Sequence, residues 1–170
     1  MKEFKIYDDV MANHYLSNIE SVLPLNSWEF YGEYFQNLIN FKEDIDTLNK
    51  LALKWDFERN YVRKMVVDHN VVVVTNPTLE IVFASHNMKK MNGYAPQEVL
   101  GRSPKMFQGK ETCKETRGKV RNAINEQKPF EVSILNYRKD RSTYLCEIEG
   151  YPVLNTKGKL VNYIAFEKAA

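Results

Sequence analysis

Cysteine is scarce. The 170-residue chain has two, Cys113 and Cys146, too few for a disulfide scaffold. Both thiols are expected to be reduced and the chain cytoplasmic. Long apolar runs are missing, and no charged-then-apolar leader opens the chain, so no membrane partner is expected. Charge of one sign is missing too. The net charge is +2, too small to imply a nucleic-acid partner. Seven basic residues do cluster: Arg102, Lys105, Lys110, Lys114, Arg117, Lys119 and Arg121. They carry little aromatic interleaving, so they suit an anion site or a solvated helix face rather than nucleic acid. The three histidines, His14, His69 and His86, have no metal-ligand spacing. No Ser-His-Asp order, phosphate-binding glycine loop or paired acid motif is present, so the chain is not expected to be an enzyme.

Glycine and proline are nearly absent from residues 1–66, where only Gly32 and Pro24 occur. Apolar residues recur there at helical spacing. The pattern predicts a helix near Tyr7–Val22 and a second from Trp28, capped by Asn26 with Glu29. Trp28, Tyr31, Phe35, Leu38 and Ile39 share its apolar face. A third helix is predicted from about Lys42 to Val66, capped by Asn40 with Glu43 or continuous with the second. Phe41, Ile45, Leu48, Ala52, Trp55, Arg59, Val62 and Val66 form a heptad-like seam along it. That seam suits a dimer or an intrachain helical hairpin. Residues 1–66 are net acidic and the remainder net basic.

From Asn70 the grammar changes to β-branched runs. Val71–Thr75 and Glu80–Ala84 should pair across an Asn76-Pro77 turn. Short helical pieces follow: "HNMKKMN" capped by Ser85, "PQEVL" opened by Pro96 and closed by Gly101, and a helix to about Asn125 with a Thr112/Glu115 capping box. Strands are predicted at Phe130–Arg138, Thr143–Val153 and Leu160–Lys168. Two strands, several helices and three strands make an α+β fold with helices on one face of an antiparallel sheet. The domain boundaries are 1–66 for an N-terminal helical segment and 67–170 for the sheet domain. Alternation along the strands gives one shared face to Phe130, Val132, Ile134 and Asn136. It gives another to Tyr144, Cys146, Ile148 and Gly150, and a third to Val161, Tyr163, Ala165 and Glu167. Together they would line either an apolar pocket with a few polar points or a filled core.

The stretches "GYAPQEVLGR", "FQGKET" and "LNYRK" carry a resemblance in order and spacing. Residues from about Asn70 to Lys168 resemble a PAS domain, most closely the flavin-binding LOV subgroup. The resemblance implies a five-stranded antiparallel sheet with short helices on one face and a pocket between them, which in LOV proteins holds FMN. In that subgroup an asparagine-cysteine-arginine loop supplies the cysteine that bonds to the flavin in light. This chain has Ser103-Pro104-Lys105 there, so that adduct is not expected. By the same resemblance Asn136 and Gln108 match two ring-edge positions. Cys146 replaces a second asparagine, and Glu167 replaces the signal-relaying glutamine. Lys105 and Arg121 match the two cations that hold the phosphate. Cys146 lacks an amide's donor and acceptor, and an ionised Glu167 offers only acceptors. Two such faults would weaken FMN by roughly two to four orders of magnitude, so FMN is disfavoured.

The expected function is a non-enzymatic PAS sensory or regulatory module in signal transduction. It would have a small-molecule pocket, with the N-terminal helices forming a homodimer or docking a signalling partner. The alternatives are a ligand-free interaction module and an FMN-binding, LOV-like protein without cysteine-adduct photochemistry.

Overall fold

The computed structural model describes residues 28–57 and 60–170. The predicted helix at Tyr7–Val22, the Asn26 cap and His14 lie outside the described residues, and so do the side chains of Trp28, Tyr31 and Phe35. The elements in chain order are α1 (Trp28–Ala52), β1 (Trp55–Asp56), α2 (Tyr61–Val66), β2 (Val71–Thr75) and β3 (Ile81–Ala84). Then follow α3 (Met88–Asn92), α4 (Pro96–Val99), a 3-10 turn (Pro104–Phe107) and α5 (Lys114–Asn125). β4 (Phe130–Tyr137), β5 (Thr143–Asn155) and β6 (Leu160–Ala169) complete the fold.

The sheet is antiparallel. β6 lies between β5 and β2, β3 flanks β2, and β4 and β1 pair with different ends of β5. The five expected strands are present, and the two-residue β1 is added to them. β2 explains the run of four valines. It pairs on both sides and is buried on both faces, so neither face needs polar residues. Val72 and Val74 join Phe83, Val153, Ile164 and Phe166 under Ile45, Leu48, Met65 and Val66 of the helical side. Val71 and Val73 join Ile81, Met88, Val99 and Phe107 on the opposite face, under the short helices.

The second and third predicted helices are one helix to Ala52. The predicted seam beyond Ala52 is corrected: no helix continues through Trp55. Instead Trp55-Asp56 pairs with Asn155-Leu154. The Trp55 indole donates to Asn162 Oδ1 at 2.9 Å and stacks edge-on with Tyr61 and Phe57. Burying an indole with its N–H satisfied outweighs continuing an exposed helix. A new helix then starts at Asn60, whose side chain accepts from Arg63 N at 2.8 Å, an N-cap signal visible in the sequence.

Two predicted caps are also corrected, for one reason. Ser85 does not cap α3. Its Oγ accepts from Val72 N at 2.8 Å and donates to Asn87 Oδ1 at 2.6 Å. Thr112 does not cap α5, whose N-cap is Cys113. Its hydroxyl accepts from Gly109 N at 2.9 Å and donates to Leu135 O at 2.8 Å. Both hydroxyls satisfy buried backbone groups of the sheet or its connecting loop, where an orphan would cost more than an uncapped helix end. The Asn76-Pro77 hairpin forms as expected, with Asn76 Oδ1 accepting from Thr78 N at 3.0 Å and Glu80 N at 2.9 Å.

Gly109 permits a close approach in the loop that follows the 3-10 turn. A Cβ there would lie 2.4 Å from Tyr137 Cε2. The Tyr137 hydroxyl in turn accepts from Glu111 N at 3.0 Å. Gly109→Ala is expected to push the ring aside and lower stability by about 1–3 kcal/mol. Urea denaturation of the variant should show a lower midpoint at unchanged slope; an unchanged midpoint would show that the loop gives way freely.

Candidate functional site

A cavity of about 510 Å³ lies between the inner face of the sheet and the 3-10 turn with α5. This is within the range of small-molecule sites, roughly 300–1,000 Å³. Its floor includes Val73, Ile134, Ile148, Gly150 and Ala165; its roof includes Phe107, Val120 and Ile124. Gly150 matters because the Phe130 ring rests on it: a Cβ would fall 2.2 Å from Phe130 Cζ. α5 carries no buried residue. Its apolar residues Val120, Ala123 and Ile124 are only half-buried, and Val120 and Ile124 line the cavity. The helix is pinned at its C-terminal end, where the Tyr163 hydroxyl donates to Ile124 O at 2.8 Å.

Five of the six candidate site residues, Asn136, Gln108, Glu167, Lys105 and Arg121, line this cavity. Cys146 does not. It sits behind Glu167 with no exposed surface, its thiol 3.8 Å from Glu167 Oε2. Burial raises the Cys146 pKa far above the usual thiol range, with the Glu167 carboxylate adding to the effect. That thiol is therefore packed and unreactive at neutral pH. Cys113 is exposed, and backbone N–H groups of Thr116 and Glu115 at the start of α5 lower its pKa.

The basic cluster divides by helix phase. Lys114, Arg117 and Arg121 recur on one face of α5 and, with Lys105, line the cavity, while Arg102, Lys110 and Lys119 do not. Arg102, Lys110 and Lys119 are exposed away from the cavity, while Lys114, also exposed, and the half-buried Arg117 stand at its edge. Lys119 instead pairs with Glu115 at 3.1 Å.

The polar end of the cavity is under-satisfied. Asn136 Oδ1 is buried and has no hydrogen-bond partner among the described residues, and neither have Tyr144 Oη and Asn92 Nδ2. Thr75 Oγ1, at the far end of β2 from the position opposite Glu167, is unpartnered as well. Native proteins seldom leave such groups orphaned. Glu167 is 5% exposed, and burial pushes its carboxyl up to about 7. Burial thus favours the protonated form, in which Glu167 is not limited to accepting. A carboxylic acid there can donate, which a carboxylate cannot.

Of the residues that alternation assigned to the lining, Val132, Tyr144, Cys146 and Val161 do not line the cavity, and Val161 is on the other face altogether. Val161 packs with the outer cluster rather than the cavity, because the β5–β6 register shifts between Val153 and Leu154. A bulge turns one side chain over. Thr75 and Leu79, which also line the cavity, were not singled out from the sequence. Their signal was the proximity of the first hairpin to the last strand, which a single sequence does not show.

Asp44 of α1 is 2% exposed. Its carboxylate accepts from His86 N at 2.8 Å and meets His86 Nδ1 at 2.7 Å. Burial raises the Asp44 pKa, and the His86 contacts partly offset this. The pair ties α1 to the segment entering α3. Neither residue is part of a metal site: no cluster of metal-binding side chains occurs among the described residues. No helix among them is long and apolar enough to cross a membrane.

Residues 69–168 match the PAS domain family. The chain belongs to that family. Among curated proteins it is 39% identical over 103 residues to Protein TWIN LOV 1 of Arabidopsis thaliana, covering 58% of this chain and 26% of that protein. It is 35% identical over 85 residues to the Blue-light photoreceptor of Listeria monocytogenes, covering 48% of this chain and 34% of that protein. Among solved structures, the dark structure of the blue-light photoreceptor Aureochrome1 LOV superposes with a TM-score of 0.61 at 30% identity. That match covers 68% of this chain and 86% of the other. The relatives and structural neighbours are thus LOV domains, sensor modules of signalling proteins. The chain spans about a third or less of the length of these curated relatives.

Proposed function

We propose that this chain is a ligand-sensing PAS module. Its cavity would hold a small, mostly planar molecule that carries an anionic group. Lys105 and Arg121 would face the anion at the mouth, with Lys114 and Arg117 beside them. Asn136, Gln108 and Glu167 would meet the polar edge at the far end. The carrying observation is the roof: a twelve-residue helix that fully buries none of its side chains over about 510 Å³ of space. Filled cores of this size normally bury their covering helix.

FMN, the ligand of the LOV subgroup, fits these residues as a bound molecule. Asn136 lines the cavity and its Oδ1 has no partner among the described residues, and a carboxylic acid at Glu167 removes the repulsion an ionised carboxylate would impose. FMN does not fit as an adduct partner, since Pro104 lines the cavity and has no thiol. Once bound, FMN would supply a blue-absorbing ring capable of one- and two-electron chemistry. Purified protein should release a small molecule on denaturation, read by mass spectrometry, or take up added FMN with quenched fluorescence. Replacing both Lys105 and Arg121 with Ala should weaken FMN roughly tenfold to a hundredfold, from loss of two charge-assisted contacts, and leave riboflavin, which lacks the phosphate, nearly unaffected. Protein that releases nothing and takes up neither would sink the sensing reading in favour of a ligand-free interaction module.

For output, we read the N-terminal helices as the element that dimerises or docks a partner, with occupancy shifting how β6 and α3 pack against α1. Ile39, 52% exposed on α1, suits a second copy of the chain. Light scattering should show dimeric wild type and a weaker dimer for Ile39→Arg. A monomeric wild type would overturn the homodimer.

A further inference from the structure

The deep end of the cavity contains a buried acid that no ion pair explains. Glu167 is on β6, opposite Ile148 of β5 and Val71 of β2. Its side chain meets the Cys146 thiol at 3.8 Å. The other groups facing this corner are uncharged: Tyr144 of β5 and Asn136 of β4 both bear on the same thiol. From β2 come Val71 and Val73, both apolar. The cations of the cavity, Lys105, Lys114, Arg117 and Arg121, come from the 3-10 turn and α5, and none forms a salt bridge to Glu167 among the described residues. An unpaired buried carboxylate is expensive, so the group protonates instead.

Resting on the sensing reading above, we propose that Glu167 is the specificity-determining residue of this cavity. It presents a carboxylic acid to a ligand whose buried edge carries a hydrogen-bond acceptor beside a donor, as a lactam or imide edge does, so that ligand binding is linked to proton uptake. The neutral acid offers one donor and one acceptor side by side, which such an edge complements with two parallel hydrogen bonds. Asn136, which lines the same space and whose Oδ1 has no partner among the described residues, could supply a further acceptor for a ring N–H. The carboxylate form offers only acceptors and would turn its charge toward the ligand's carbonyl oxygen. Burial holds the acid near the middle of its titration at neutral pH, so the competent fraction changes where it can matter. Below that point the cavity accepts the ligand; above it, apparent affinity falls with the protonated fraction.

FMN, whose ring carries an imide edge, is the probe. With wild-type protein the apparent Kd for FMN should rise about thirtyfold between pH 6 and pH 8.5, following loss of the acid form. Glu167→Gln, an amide with donor and acceptor at every pH, should bind FMN with near-constant affinity across that range. Glu167→Leu should bind it weakly at both ends. A second measurement needs no ligand. The infrared carbonyl band of a buried carboxylic acid should be present at pH 6 in wild type, fade by pH 8.5, and be missing from Glu167→Gln. Absence of that band at pH 6 overturns the proposal whatever FMN does. Equal FMN affinity at the two pH values overturns it as well. If the band behaves as expected but FMN binds neither wild type nor Glu167→Gln, the imide-edge ligand class is rejected. The sensing reading is then decided separately by the small-molecule release experiment.

Discussion

Glu167→Gln will make the ligand-free protein more stable at pH 8 by about 3 kcal/mol, and will change its stability little at pH 4. The carboxyl titrates near 4.5 when unfolded and near 7 when buried in the fold. Between those values the native chain holds a proton that the unfolded chain has released. Stability therefore declines as pH rises from about 4.5 to about 7, and the full penalty persists above. Below the unfolded value both states are protonated and the penalty vanishes. Glutamine has the same length and no proton to lose, so this dependence disappears from the variant. Urea unfolding at pH 4, 6 and 8 should give midpoints that diverge upward with pH for the variant relative to wild type. Parallel curves would mean that Glu167 is solvated or paired in solution. The Cys146 thiol beside the acid is too weak a donor to offset the burial.

This effect was not legible from the sequence, and the reason is physical. A glutamate on an apolar strand face marks a departure from pattern, but its charge state depends on what surrounds it in three dimensions. Alternation along β4, β5 and β6 located the inner face that carries Asn136 and Glu167, while Gln108, Lys105 and Arg121 came from the LOV resemblance; all five line one cavity. The same alternation failed at Val161, since a bulge has no reliable signature in one sequence. The hairpin around Asn76-Pro77 was legible because its geometry is set by adjacent residues. Ser85 and Thr112 misled because local capping competes with distant orphans: Val72 N and Leu135 O, far away in sequence, take those hydroxyls instead. The heptad seam misled in the same way. Periodicity recorded which residues are apolar, and Trp55 found a better partner in Asn162 than in the next helical turn.

The acid's position also bears on signalling. β6 carries Glu167 on its inner side and Phe166 on its outer side, where Phe166 packs with Ile45, Leu48 and Met65. A change at the cavity end of β6 thus meets the surface that holds α1. On the other route, Met91 of α3 packs against both inner clusters, and α3 starts just beyond His86. The two routes converge on α1, one through apolar packing and one through the Asp44–His86 pair.

Asp44→Ala should therefore destabilise the protein by about 2 kcal/mol and loosen α1 selectively. The substitution leaves His86 N without its 2.8 Å acceptor and His86 Nδ1 without its 2.7 Å partner. Losing hydrogen bonds to a charged group costs about 1.5–3 kcal/mol, while removing a buried carboxylate returns some of its desolvation cost. Asp44→Asn keeps an acceptor of the same shape and should lose less than about 1 kcal/mol, which separates hydrogen bonding from simple packing. Hydrogen exchange supplies the positional readout. In Asp44→Ala, amides from residue 36 to residue 52 should exchange faster at unchanged protection of β2 and β6. If α1 served only as a passive cover, held by Ile45 and Leu48, its protection would fall no more than that of the sheet. If the pair also transmits occupancy, FMN bound to wild type should alter exchange in α1, and FMN bound to Asp44→Ala should alter it only within the sheet and α5. Equal α1 responses in the two proteins would leave Phe166 and its apolar neighbours as the sole connection between cavity and helix.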